Sequence, residues 1–376
     1  MFTPSRLEHA RKVRGLSLVR LAESAGITAR SLSSYENEHG EPSEETLESL
    51  ALALDFPISF FSAEDLDSLP LDAVSFRAGS KLTAGKRDMA LTAGRLAIEL
   101  HDWIGTRFRL PAPDIPSLPR FSAAYPDQQS PGATKPNGPE LAAEIVRARW
   151  GLGNAPITNM VHLLEAHGVR VCSLAERCAD VDAFSLWWKY TPYVFLNVRK
   201  SAERSRFDAA HELGHLILQG EEQNPHGPEA EREANRFAAA FLMPRDSVLA
   251  RLPLNPSIQH IIQAKKIWKV AAMALAHRLH EIGLSTDWHY RSTCYELGKR
   301  GYRSKERYGT VRETSQVLDK VFRTLRTEGI TATSIARDLH ISPDVLSELV
   351  FGLVVTTVEG EGSGGSSQRP QLNLVK

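Results

Sequence analysis

Apolar residues between positions 6 and 56 repeat every three or four residues, which is the spacing of one face of an α-helix. Glycine or proline interrupts this pattern four times: Gly15, Gly26, Gly40 and Pro42. Hydroxyl residues stand where N-caps are expected: Ser17, Thr28 and Ser43. The pattern predicts a compact bundle of four or five short helices.

A proline-rich stretch divides the rest of the chain. Eight prolines fall within residues 111–140, and because proline lacks an N–H donor and fixes φ, we expect an extended connector at 111–139. Before it, residues 87–109 are helical in pattern. After it come two helical segments, a strand ending near Leu174, a hairpin across residues 183–198 and two more helices, the last closed by Pro244. That order is typical of an α+β domain.

The predicted fold is mainly α with one small α+β domain. Helical periodicity returns at residues 257–283 and 314–350, with the helix, turn, helix rhythm of the N-terminal bundle. The Gly/Ser-rich end is predicted to be disordered. The predicted segments are a bundle at 1–62, connecting helices at 63–110, the linker at 111–139, the α+β domain at 140–252, C-terminal helices at 253–355 and a tail at 356–376.

Charge is informative only through its distribution. Lys plus Arg and Asp plus Glu both number 45, so the net charge favours no class of partner. Residues 1–35 carry six basic and two acidic side chains, whereas residues 36–61 carry seven acidic and no basic ones. This asymmetry predicts a bundle with one positive end, suited to phosphates. A second basic stretch, residues 291–326, holds ten basic and four acidic side chains.

Three cysteines without CxxC spacing argue against a thiolate zinc site and against a disulfide scaffold. The first residues lack the apolar core of a signal peptide, and no apolar run approaches about 18 residues. We therefore expect a soluble cytoplasmic protein that does not associate with membranes.

The segment RFDAAHELGHLILQG, residues 206–220, carries an HExxH motif. Residues four apart share a helix face, so His211 and His215 can both offer an imidazole nitrogen to one metal ion, and Glu212 can take a proton from its water. The next helix offers a third ligand. We favour Glu231, with Asn235 on the same face to hold a ligand in place, over Glu233 and Glu229. The alternative is a pair of ordinary core histidines and surface carboxylates.

Together with EREANRFAAAFLMP, this segment resembles the ImmA/IrrE family of gluzincin metalloendopeptidases over about residues 140–250. The resemblance implies a small α+β zincin domain that binds Zn²⁺ through His211, His215 and Glu231, with Glu212 as the catalytic base. Gln219 stands where many members have histidine, which leaves the ligand set intact. The strand YVFLN, residues 193–197, is a candidate for pairing with an extended protein substrate through an open edge; the alternative is a strand of the ordinary sheet core.

The stretch LSLVRLAESAGITARSLSSYENEHGEPSEETLESLALAL resembles the Cro/repressor-type (Xre) helix-turn-helix over about residues 6–61. The resemblance implies binding to double-stranded operator DNA as a homodimer, with a recognition helix starting near Thr28. Arg30 would contact a base or phosphate, Arg14 and Arg20 would contact phosphates, and the hydroxyls would face the groove: Thr28, Ser31, Ser33 and Ser34. Leu18 and Val19 replace the glutamine common in such domains. The alternative is a bundle that only dimerises.

Two functions remain open. In the first, the bundle binds an operator and the zinc domain cleaves a repressor or toxin partner, or the chain itself. In the second, the chain is an antitoxin or autorepressor whose metal domain binds a partner or senses a signal without turnover. Glu212 favours the first, because a purely structural zinc site has no need of a base. DWHYR and RGYR, residues 287–291 and 300–303, resemble segments that follow the protease domain in fused Xre/ImmA regulators.

Overall fold

The computed structural model describes residues 2–69, 74–78, 83–118, 138–220 and 227–354. Over these ranges the fold is mainly helical with one small mixed sheet, as predicted. The helices are α1 Pro4–Val13, α2 Leu18–Ala25, α3 Ala29–Glu36, α4 Glu44–Leu54, α5 Ala84–Gly105, α6 Gly138–Arg149, α7 Met160–Ala166, α8 Ala202–Leu218, α9 Pro228–Leu242, α10 Arg245–Leu249, α11 Ile258–Trp268, α12 Ala272–Glu281, α13 Asp287–Lys299, α14 Gln316–Thr327, α15 Ala332–Asp338 and α16 Pro343–Val350. The strands are β1 Ser75–Ala78, β2 Arg170–Ser173, β3 Val181–Trp188 and β4 Thr191–Leu196.

Helices α1 to α4 form the predicted N-terminal bundle. Each predicted N-cap hydroxyl accepts a main-chain hydrogen bond, as Thr28 does from the Ser31 N–H at 3.0 Å. Gly26 ends α2 with a φ of +70°, a conformation that costs glycine little. The core consists of fully buried leucines from all four helices: Leu7, Leu21, Leu32 and Leu50.

Helix α5 lies between the bundle and the sheet. On one side α1 packs against it, with Arg6 paired to Glu99 at 2.9 Å and the His9 imidazole 2.9 Å from the Thr92 carbonyl oxygen. On the other side it packs on the sheet at Gly94, where a Cβ would lie 3.1 Å from the Phe184 ring. Glycine thus permits a close helix–sheet contact that a larger residue would obstruct.

The four-stranded sheet has the order β1-β3-β4-β2. The predicted hairpin is present as antiparallel β3 and β4, and β2 joins β4 in parallel. Because β4 is paired on both sides, the prediction that residues 193–197 offer an open edge to a substrate is wrong. Strand β1 pairs antiparallel with β3 and is the edge strand on that side of the sheet; the sequence pattern did not predict it.

Helices α8 and α9 form the most extensively packed helix pair of the described chain, and α8 also packs on β3 and β4. The two helices approach closely at Gly214, where a Cβ would lie 3.2 Å from the Ala234 Cα and 3.1 Å from the Phe237 ring. A methyl group there would have to displace backbone, so glycine fits this crossing. This contact sets the spacing between the HExxH helix and the helix that offers the third ligand.

The C-terminal helices are attached to the sheet domain by buried polar contacts. The Glu165 carboxylate accepts the Gln316 N–H at 2.9 Å at the start of α14. Glu313 accepts the Met160 N–H at 2.8 Å, and the buried Lys265 ammonium lies 4.0 Å from the carboxylate of Glu203 on α8. Buried charges need partners of this kind, so the C-terminal helices are held against the domain in a specific arrangement.

Only part of the predicted linker lies within the described chain. The Asp114 N–H donates to the His167 carbonyl at 2.9 Å, which ties residues 111–118 to the sheet domain. Residues 119–137 of the linker and the predicted tail at 356–376 lie outside the described residues. No helix of the described ranges is long and apolar enough to cross a bilayer.

Candidate metal centre and DNA-contact surface

Two side chains of α8 and one of α9 converge on a single point. The Nε2 atoms of His211 and His215 lie 3.0 Å apart, and each lies 3.3 Å from a different carboxylate oxygen of Glu231. One possible ligand atom from each of the three residues lies within 4.8 Å of the other two. Two imidazole nitrogens and a carboxylate are the donor set of many catalytic zinc sites, so these residues fit Zn²⁺.

The three residues differ in their exposure to solvent. His211 and His215 are buried, whereas the Glu231 side chain is 34% exposed. Burial alone would raise the pKa of Glu231, but hydrogen bonds and charges from both imidazoles hold that pKa well below its usual range. A carboxylate that stays ionised beside two imidazole nitrogens suits a divalent cation.

Gln219 fixes the orientation of His215. Its side-chain oxygen lies 3.0 Å from the His215 Nδ1. Because an amide oxygen only accepts, this contact places a proton on Nδ1 and leaves Nε2 as the nitrogen that can bind a metal ion. Sequence reasoning placed Gln219 outside the ligand set without assigning this role. Its position four residues after His215, on the same helix face, is the signal that could have found it.

Glu212 is fully buried beside the cluster, one residue after His211. Its Oε2 accepts a hydrogen bond of 2.7 Å from the hydroxyl of Ser185 on β3. Sequence reasoning missed Ser185, which lies 27 positions away in the chain. A lone hydroxyl among apolar residues of a central strand is the only signal it offers. Ser185 holds the carboxylate of Glu212 against the sheet.

The other acidic candidates of α9 take different places. Glu229 forms an exposed ion pair with Arg232, and Glu233 is not part of the metal-capable group found among the described residues. The Asn235 amide donates to the Glu231 carbonyl oxygen at 2.7 Å, one turn earlier in the same helix. Its predicted role in holding a ligand stays a prediction.

Four of the six basic side chains that suggested a positive surface form ion pairs within the protein, one of them the partly exposed pair of Lys12 with Glu8 at 2.8 Å. Arg14 donates to the Leu54 carbonyl at 2.7 Å and pairs with Asp55 at 3.0 Å, and its side chain is 5% exposed. It therefore stabilises the end of α4, where carbonyl groups lack helical partners. We withdraw it as a phosphate contact. Arg6 and Arg11 are likewise paired, with Glu99 and Glu36.

The start of α3 retains the features of a recognition helix. Arg20 and Arg30 are exposed. Thr28 is also exposed, although its hydroxyl caps α3 and contacts the Ser31 hydroxyl at 2.8 Å. The remaining serines are half-buried: Ser31, Ser33 and Ser34. The Ser33 hydroxyl lies 3.3 Å from the Asn37 amide nitrogen, so it is already part of a local hydrogen bond.

Two family models match the chain. The helix-turn-helix model covers residues 7–61, and the peptidase M78 model, described as the IrrE N-terminal-like domain, covers residues 164–280. The chain joins a helix-turn-helix domain to an IrrE N-terminal-like domain. Comparison with curated proteins and with solved structures gave no significant match. The two resemblances read from the sequence are thereby confirmed, while the predicted limits of 1–62 and 140–252 stay predictions.

A cleft of about 970 Å³ opens within the IrrE N-terminal-like domain, between α8, α9 and α12. Phe207 and Asn235 line it, one turn from His211 and Glu231 respectively. His277 and His280 of α12 also line it. Each imidazole contacts a carboxylate, His277 with Glu281 at 3.5 Å and His280 with Asp287 at 2.9 Å. None of the three metal-capable residues lines this cleft, so it is a neighbouring groove and not the ligand site itself.

Proposed function

We propose that the chain is a DNA-binding transcriptional regulator whose IrrE N-terminal-like domain is a zinc-dependent endopeptidase. The observation that carries the proposal is the convergence of His211, His215 and Glu231, with the Glu212 carboxylate buried beside them. A site built only for structural zinc has no use for that carboxylate. The proposed substrate is a partner regulator, a toxin or the chain itself.

The proposed roles follow from the geometry. The proposed ligands of Zn²⁺ are His211, His215 and Glu231. When bound, the ion would act as a Lewis acid toward the peptide carbonyl and would lower the pKa of water to about 7. Glu212 would accept a proton from the attacking water and deliver it to the leaving amine nitrogen. Ser185 would keep the Glu212 carboxylate in position, and Gln219 would keep the His215 Nε2 lone pair turned to the ligand site.

Removal of the metal tests the hydrolytic part of the proposal. The chain with one equivalent of Zn²⁺ should hydrolyse fluorescein-labelled casein or cleave itself, as read by fluorescence and mass spectrometry. After dialysis against a chelator the rate should fall to background, and added Zn²⁺ should restore it. A chain that binds zinc stoichiometrically and hydrolyses neither would favour the antitoxin or autorepressor alternative instead.

We also propose that α3 enters the major groove of an operator, with the chain binding as a homodimer. The exposed position of Arg30 near the N-terminal end of α3 supports this proposal. The DNA for this test is a fragment that the chain selects from a random pool. If Arg30 contacts a base, Arg30→Ala should weaken binding to that fragment by about 1–3 kcal/mol. A gel-shift titration at fixed salt measures the change.

Two further variants make that titration specific. Arg20→Ala should weaken binding to all DNA sequences alike, as expected for a phosphate contact. It should also reduce the slope of log affinity against log salt concentration by about one. Arg323→Ala, an exposed arginine of α14, should leave binding unchanged. Equal affinities for wild type and Arg30→Ala would remove Arg30 from the interface.

A further inference from the structure

Strand β1 comes from the segment before α5, outside both matched domains, yet it pairs with β3, the strand that carries Ser185. In the register of the sheet Ser75 lies opposite Ser185. Ser185 donates to the Glu212 carboxylate at 2.7 Å. Paired residues of antiparallel strands have Cα atoms about 4.5–5.5 Å apart. The backbone of β1 therefore pairs with the residue whose side chain contacts the proposed catalytic base.

The main-chain groups of β3 that face β1 can be identified. The Leu196 carbonyl accepts a 3.0 Å hydrogen bond from the residue that follows β2, so Leu196 faces β2. Neighbouring residues of a strand point their main-chain groups in opposite directions, so Phe195 faces β3 and its partner Phe184 faces β4. Ala183 and Ser185 then point their N–H and C=O groups at β1. Without β1, these groups would form an open strand edge beside Glu212.

The position of β1 is linked to the DNA-binding bundle through α5. Helix α5 begins at Ala84, six residues after β1 ends at Ala78. The same helix contacts α1 through the Arg6–Glu99 ion pair at 2.9 Å. Six residues span at most about 20 Å, so β1 stays within that distance of the N-terminal end of α5. Packing of the bundle on α5 thus bears directly on β1.

We propose that β1 occupies the position of a substrate strand, so that the chain in this conformation is a partly inhibited peptidase, slower than the same chain without β1 in place. A protein substrate would bind as an extended segment, antiparallel to β3, through the main-chain groups of Ala183 and Ser185 after β1 has left. Altered packing between the bundle and α5 would release β1. This inference rests on the proposed endopeptidase function and adds to it the form of the substrate and its regulation.

Proline substitutions in β1 provide a matched test. Arg77 lies opposite Ala183, so its N–H faces β3, whereas the N–H of Phe76 points away. Arg77→Pro should therefore weaken the strand pair, while Phe76→Pro should not. Zinc-loaded Arg77→Pro should hydrolyse fluorescein-labelled casein at least about 10-fold faster than wild type, because an intramolecular competitor acts at an effective concentration of about millimolar. Arg77→Ala controls for the lost charge and should behave as wild type.

A peptide with the sequence AVSFRAGS, residues 73–80, supplies the second readout. The peptide should slow casein hydrolysis by Arg77→Pro. In fluorescence anisotropy it should also bind Arg77→Pro more tightly than it binds the chain without that change, with Glu212→Gln introduced into both chains to prevent turnover. If folded Arg77→Pro hydrolysed casein at the wild-type rate, the proposal for β1 would be overturned, while the endopeptidase assignment would remain. If no chain hydrolyses casein, the endopeptidase assignment fails, and failure of the peptide to bind Arg77→Pro would overturn the strand proposal separately.

Hydrogen exchange of the unmodified chain gives an answer that needs no folded variant. The Ala183 and Ser185 amides, which face β1, should exchange at least about 10-fold faster than the Phe195 amide, which faces β3, because opening of β1 exposes only the former. Equal protection of all three amides would mean that β1 leaves only when the domain unfolds, which contradicts the proposal.

Discussion

Replacing Glu212 by glutamine should leave zinc bound and the fold intact while it lowers peptide hydrolysis by about 100-fold or more. Glutamine has nearly the same shape, and its amide oxygen can still accept the hydrogen bond that Ser185 now donates to Glu212 at 2.7 Å. It cannot take a proton from water at neutral pH. The initial rate of casein hydrolysis, or of self-cleavage, and the zinc content of the same preparation measure both parts of this expectation.

Glu233→Gln is the matched control for that variant. Glu233 is a half-buried carboxylate of α9 that lies outside the metal-capable group. Its replacement removes the same charge from the neighbouring helix and should leave both rate and zinc content unchanged. Undiminished cleavage by pure Glu212→Gln would contradict the assignment of Glu212 as the base.

The second large effect concerns the third ligand. Glu231→Ala should weaken zinc binding by at least about 100-fold, beyond the 10- to 100-fold loss typical of residues that only support a ligand. Two imidazoles alone leave a zinc ion short of the three protein ligands of a catalytic site. Competition with a chromophoric chelator measures the affinity of wild type and variant.

The choice between the two candidate carboxylates of α9 is tested in the same titration. Glu231 lies 3.3 Å from both imidazole Nε2 atoms, and Glu233 is not part of that group. Glu233→Ala should therefore bind zinc as wild type does. The reverse result, in which Glu233→Ala loses zinc and Glu231→Ala keeps it, would rule out the proposed ligand set.

Local sequence signals predicted the elements that carry chemistry. The spacing of His211 and His215 places both on one helix face whatever surrounds them, and the capping hydroxyls fix where the bundle helices begin. Glu231 was favoured on the spacing to Asn235, and the fold brings it to the histidines. The shared helix face and the caps depend on residues within one or two turns of each other, so the sequence alone specifies them, whereas the meeting of Glu231 with the histidines depends on the packing of α8 against α9.

Contacts between distant segments could not be predicted in this way. Arg14 looked like a phosphate ligand because its partner, Asp55, lies 41 residues further along the chain. The Ser185 contact to Glu212 depends on how α8 packs against β3. Strand β1 has only four residues, too few for an alternating pattern to stand out, and its pairing with β3 spans more than 100 positions.

Anomalous diffraction at the zinc absorption edge, from crystals of the zinc-loaded chain, tests the central claim most directly. The account predicts one strong peak about 2.0–2.2 Å from the Nε2 atoms of His211 and His215 and from a carboxylate oxygen of Glu231. A peak elsewhere, or no peak between these three residues at full zinc loading, would contradict it.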